Sequence, residues 1–181
     1  MSAFHYILSS LPFLSGPKMP PPLADSELLD LCGRFLNPRD YELVASSNLS
    51  PLETTVGGMA GEYRLWESSL CSELEKLRLV KRGLNADSAK HKTDSAGGTH
   101  QIAVEAMEIS SPLEAELFLV NQRWLKADEL SWGHYFDLEA LCAYRLKLLL
   151  LERRALFNKE KGSTAYQNIY TRVLEASGEM K

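Results

Sequence analysis

FDLEALCAYRLKLLLLERRALFNKEKG, residues 136–162, decides the fold. Four consecutive leucines, Leu148 to Leu151, stand at its centre, with Arg145 and Lys147 just before them and Glu152, Arg153 and Arg154 just after. A bilayer span needs about 18 or more apolar residues with few charges, so the membrane reading fails. Placed on a wheel at about 100° per residue, Leu141, Tyr144, Leu148, Leu151 and Ala155 form one apolar arc. Cys142, Leu146, Leu149, Leu150, Leu156 and Phe157 form a second, broader one. Two narrow polar stripes part the arcs, Arg145 with Glu152 and Lys147 with Arg154. A helix apolar on two sides is wrapped on two sides. The pattern therefore predicts a buried spine over residues 137–161, capped by Asp137 and stopped by Gly162.

Arg145 and Glu152 lie two turns apart, about 10 Å along the axis, too far for a direct ion pair. Each needs a neighbouring helix, water or an external partner. The external reading makes Arg145, Glu152, Arg153, Arg154 and Lys159 a partner-binding surface. Arginines near the C-terminal end of a helix suit acidic partners.

Working outward toward the N-terminus, residues 126–136 read as a polar, aromatic linker. Before it, Ser111, Pro112, Leu113 and Glu114 have the form of a capping box that opens a helix bearing Leu113, Leu117, Val120 and Trp124. Residues 83–100, GLNADSAKHKTDSAGGTH, hold one leucine and no aromatic residue, too little apolar surface to offset ordering, and read as a flexible loop. A helix over about 59–82 carries Tyr63, Trp66, Leu70, Leu77, Val80 and Leu84 at helical spacing. This seam serves either a core or a homodimer. Asn37 and Pro38 suit an N-cap and first position, and Asp25 suits the cap of a helix bearing Leu28, Leu31, Cys32 and Phe35. Residues 4–14 fit a brief strand or a single helical turn, and SGPKMPPP at 15–22 fits an extended connector. Beyond Gly162 a last helix carries Tyr166, Ile169, Tyr170 and Val173. The expected fold is all-α, a bundle of six or seven helices, with an N-terminal lobe over 1–82, the loop 83–100, and a C-terminal lobe over 101–181.

The 181 residues carry a net charge of −4, with 45% hydrophobic and 24% charged side chains, ordinary globular values. No basic field marks a nucleic-acid partner. The N-terminal residues lack the basic region of a signal peptide. Cys32, Cys71 and Cys142 are odd in number, far apart and embedded in apolar patterns, as reduced buried thiols of a cytoplasmic protein would be. His5, His91, His100 and His134 share no metal-ligand spacing. Gly57-Gly58 and Gly97-Gly98 lack the lysine of a phosphate loop and read as turns. His134 and Asp137 suit a local hydrogen bond at a helix start. No catalytic constellation, cofactor motif or metal set emerges, so a non-catalytic protein is expected.

Two blocks carry a resemblance. FHYILSSLPFL with the proline segment and the helix ending ELLDLC (4–32), and the stretch 136–162 with Tyr166, resemble a bacterial family of uncharacterised function encoded with V-type ATP synthase subunits. The second block is similar, more distantly, to the C-terminal helices of the d-type (C-type) central-stalk subunit. There a helix like the one bearing Tyr144, Leu148, Glu152 and Arg153 packs in a bundle that joins the rotor ring to the stalk. Residues 45–130 carry none of the resemblance, and the chain is shorter than a full d-type subunit. The resemblance implies a subunit or assembly factor linking membrane rotor and stalk, cytoplasmic and peripheral to the membrane through partner subunits. A general helical adaptor, a homodimer through the 63–84 seam, and a small ligand-binding bundle are the alternatives.

Overall fold

The computed structural model describes residues 3–50, 57–85, 97–157, 162 and 166–173. Every regular element among them is an α-helix: α1 (Ala3–Ser10), α2 (Asp25–Phe35), α3 (Pro38–Ser46), α4 (Gly58–Lys81), α5 (Thr99–Glu108), α6 (Pro112–Leu130) and α7 (Leu138–Ala155), followed by helical residues 166–173. The all-α expectation holds. The opening segment resolves to an eight-residue helix in which Ile7 alone is fully buried.

Local chemistry explains most boundaries. The Asn37 side chain accepts the Asp40 amide at 2.9 Å, with Pro38 in the first turn where its missing N–H costs nothing. Ser111 accepts from Glu114 at 3.4 Å, and Asp137 from Ala140 at 3.0 Å. Asp25 is no cap. It opens α2 from within, while Glu27 reaches back to the Ala24 amide at 2.9 Å. The polar stretch expected to be a linker after residue 125 continues α6 to Leu130, because Ala127 is fully buried there and Lys126 pairs with Glu129 at 2.8 Å.

The spine is shorter than its sequence pattern. α7 ends at Ala155, with the amides of Leu156 and Phe157 turning back to the carbonyls of Arg153 and Arg154. Gly162 lies well beyond that end, and residues 158–161, Lys159 among them, fall outside the described residues. α7 packs against α1, α2, α3, α4 and α6. Leu141, Leu146, Leu148, Leu150 and Leu151 are essentially inaccessible, each worth about 1.5–3 kcal/mol on full burial.

Three apolar clusters result. One joins Ile7, Leu28, Cys32, Val44 and Tyr63 to Leu141, Cys142, Leu146 and Leu148, so it draws on both halves of the chain. A second joins Trp66, Leu70 and Leu74 of α4 to Ala103 and Ala106 of α5 and Leu119 of α6. A third sets Val120 and Trp124 against Leu150 and Leu151. The α4 seam is spent inside the chain through Tyr63, Trp66 and Leu70, and only its end, Val80 and Leu84, stays exposed.

Candidate functional site

The charged stripes of α7 grip the chain's own backbone. Arg145, buried to 6% exposure, makes a two-pronged ion pair with Asp25, Nε to Oδ1 at 2.7 Å and Nη2 to Oδ2 at 2.8 Å. Its Nη1 donates to the carbonyls of Val44, Ala45 and Ser47 at 2.9, 2.6 and 3.0 Å. These carbonyls lie at the end of α3, where Val44 also accepts the Ser47 amide at 3.0 Å, and the guanidinium answers the negative end of that helix. Glu152 accepts the Asp25 amide at 2.8 Å, taking one of the free N–H groups at the start of α2. Two turns of one helix thus hold the start of α2 and the end of α3.

The remaining expected partner-binding residues divide. Arg154 donates to the Pro17 carbonyl at 2.6 Å and pins the proline segment. Arg153 meets Glu116 at 3.3 Å with its side chain nearly half exposed. Lys147 pairs with Asp128 and lies 5.7 Å from the centre of the Trp124 ring, close enough for a cation–π contact. Each of the three Arg145 guanidinium nitrogens is engaged within the chain, and of the named set only Arg153 presents its charge broadly to solvent among the described residues.

A second carboxylate of α7 also acts at a helix start. Glu139 accepts the Met59 amide at 3.0 Å, at the N-terminus of α4. Gly58 has φ +69° there, and a Cβ on it would lie 2.6 Å from Glu139 Oε1. The glycine pair read as a turn therefore begins α4, and an internal carboxylate fills its positive end.

A further buried ion pair was invisible in the sequence. Arg123 of α6 donates from Nε and Nη2 to Glu67 of α4, at 2.9 and 2.7 Å for the shorter contacts, both residues being almost fully buried. The Cys71 thiol donates to Glu67 at 3.4 Å. Beside them, Arg123 Nη1 and the Tyr63 hydroxyl are buried without a hydrogen-bond partner. Burial is the main cause that raises the Tyr63 phenol above its ordinary range, and the Glu67 charge adds to it. Burial likewise pushes the thiols of Cys32, Cys71 and Cys142 up to about 11, the reverse of what a nucleophile needs. Among the described residues, no group of three His, Cys, Asp or Glu could hold a metal ion, and no helix is long and apolar enough to cross a membrane.

What stands open to solvent is an aromatic end. Phe13 is 86% exposed, Trp132 85% and Tyr135 72%. They edge a groove of about 600 Å³ between the segment after α1, the α6–α7 turn and the first half of α7. The Tyr144 hydroxyl donates to the Pro12 carbonyl at 2.9 Å and fixes one wall. His134 and Asp137 pair at 2.6 Å at the other, the local bond expected from their spacing. The His5 and Phe136 rings stack at 4.4 Å nearby. Sequence reading passed over this surface because residues 126–136 read as a linker. The signal available was SWGHYF, three aromatics within six residues of a turn.

Fold and site together define a class: an all-α protein, among its described residues, with a few buried charges that tie its helices together and an exposed aromatic groove at one end. Against protein families, curated proteins and solved structures the chain gives no match.

Proposed function

We propose that the chain is a non-catalytic helical docking protein, a subunit or assembly factor of a bacterial V-type ATP synthase that bridges membrane rotor and central stalk. The V-type assignment rests on the resemblance of residues 4–32 and 136–166. The docking assignment rests on one observation, the exposed Phe13, Trp132 and Tyr135 around a single groove. Aromatic side chains are enriched at the centres of protein interfaces, where they combine large apolar area with few rotamers to order. The partner is accordingly a protein surface of the stalk or ring presenting an apolar segment to this groove. Arg153 supplies a charge elsewhere on the surface, while Arg145, Glu152 and Arg154 hold the docking body in shape.

Purified chain, titrated against purified rotor ring and purified central stalk of a V-type ATP synthase, is the test. Association with one of them is expected. Trp132→Ala and Phe13→Ala are expected to weaken it about 30-fold or more, the effect of removing a side chain at an interface centre. Absence of association with either subassembly overturns the V-type assignment. Association that both variants leave intact overturns the aromatic surface.

A further inference from the structure

The polar groups of the groove edged by Phe13, Trp132 and Tyr135 say what kind of segment it takes. The charged or titratable side chains that line it, tyrosines aside, are Asp128, His134 and Lys147. Lys147 pairs with Asp128, and His134 pairs with Asp137 at 2.6 Å. Among the described residues the lining therefore presents no unpaired charge. An uncharged occupant complements it, whereas a carboxylate or ammonium brought here would give up water only to compete with an existing pair.

The groove already holds one proline. Pro12 lies in the irregular segment 12–16, part of one wall, and the Tyr144 hydroxyl donates to its carbonyl at 2.9 Å. A proline has no N–H, so its carbonyl is the only main-chain group to satisfy. An aromatic side chain with a donor at its edge supplies that hydrogen bond together with an apolar ring face. Tyr144 does this within the chain. Trp132 and Tyr135 carry the same two features, a ring and an N–H or O–H donor, and both are turned to solvent.

Other occupants match less well. A strand added along segment 12–16 meets a proline without an N–H, whose carbonyl Tyr144 has taken. A helix laid in the groove would press its hydrocarbon stripe onto the Lys147–Asp128 and His134–Asp137 pairs. A polyproline II helix makes neither demand. It has no internal hydrogen bonds and rises about 3.1 Å per residue, and its stiffness leaves little entropy to lose on docking. Grooves lined by aromatic rings are the surfaces that take such helices.

We infer that the groove binds an uncharged, proline-rich segment in the polyproline II form. Its prolines pack among the rings of Phe13, Trp132 and Tyr135, and its carbonyls accept from the Trp132 indole and the Tyr135 hydroxyl. This rests on the docking role proposed above and names the chemistry of the segment that the partner presents.

Of the three tryptophans, Trp66 and Trp124 are buried, so a change in tryptophan emission reports Trp132. Full-length chain titrated with a decaproline peptide is expected to give a saturable blue shift, and a glycine–serine peptide of equal length none. The affinity is expected to change less than about twofold between about 0.05 and 0.5 M salt, because no charge is neutralised. Phe13→Ala is expected to weaken binding about tenfold or more with helicity unchanged. Trp132→Phe keeps a ring and loses the N–H, and a loss of about fivefold is expected by calorimetry. A missing shift, or an equal one with the glycine–serine peptide, overturns the inference. So does a tenfold loss of affinity over that salt range, or a Phe13→Ala chain that binds decaproline as the parent does. If rotor ring or central stalk binds and decaproline does not, the inference fails and the docking reading stands. If decaproline binds and neither subassembly does, the V-type assignment fails and the inference stands.

Discussion

Two buried arginines divide this molecule. Arg145 uses its Nε, Nη1 and Nη2 groups on Asp25 and three backbone carbonyls. Arg123 is just as deeply buried, yet spends itself on Glu67 alone and leaves Nη1 without an acceptor. Burying a charge is repaid only when the pair is well formed and the surplus donors are satisfied. The first region meets that condition and the second falls short of it. A buried ion pair that also serves backbone ends is tied to the architecture. One that joins only two side chains can be exchanged for hydrocarbon.

The largest expected effect lies at the first node. Arg145→Met leaves Asp25 without its ion pair and takes the guanidinium from the carbonyls of Val44, Ala45 and Ser47, and is expected to cost about 3–5 kcal/mol in urea unfolding. A loss below about 1 kcal/mol would break the contrast at its root. Next come the double substitutions. Glu67→Met with Arg123→Met removes both charges and the idle donor, and is expected to be neutral or stabilising by about 1–4 kcal/mol. Asp25→Leu with Arg145→Met still takes the guanidinium from those carbonyls and remains destabilised. Equal outcomes for the two pairs would show that backbone service is irrelevant. Smaller again, Tyr63→Phe deletes a buried hydroxyl that has no partner, and a gain of about 1 kcal/mol is expected where a bonded tyrosine would give a loss.

The smallest effect is a pH dependence at the start of α7. The hydrogen bond that the His134 imidazole donates to Asp137 raises that imidazole above its ordinary value. For Asp137, partial burial pushes the carboxyl up, but the Ala140 amide and His134 outweigh it and hold the group below its ordinary range. A raised histidine stabilises the fold below its unfolded value, and the contribution is lost as pH rises through the folded one. The melting-temperature gap between the parent and His134→Ala is therefore expected to close between about pH 6 and pH 8. A gap that widens over that range would reverse the assigned sign. Asp137 acts at the acid end, where its contribution is lost as pH falls through its lowered value.

The sequence was most legible where chemistry is local. Asn37-Pro38, Ser111-Pro112 and Asp137 announced three helix starts because a cap acts within three residues. α4 was legible because Tyr63, Trp66 and Leu70 are large and correctly spaced. α5 was missed. Its buried contacts are Ala103 and Ala106, small side chains that pack closely yet barely mark an apolar face, and a buried hydrogen bond between the Thr99 and Ser69 hydroxyls fixes its start. The charged stripe was read correctly as a stripe, but its destinations lie 98 to 127 positions away in the chain. No spacing rule connects Asp25 to Arg145, and Asp25 already had a plausible local role as a cap. The aromatic surface was obscured for a related reason: a turn rich in polar residues resembles a linker until the groove beside it is seen.

The hold of Arg145 on the first helices has a consequence for synthesis. Asp25 leaves the ribosome 120 residues ahead of its counter-ion. At about 5–20 residues per second, that is a wait of about 6–24 s. Throughout it Leu28, Cys32 and Val44 have no α7 to cover them, since the leucines that do so are translated in the same late burst as the arginine. The nascent N-terminal third is thus an open, sticky intermediate by construction, and its completion is timed by the arrival of a single guanidinium.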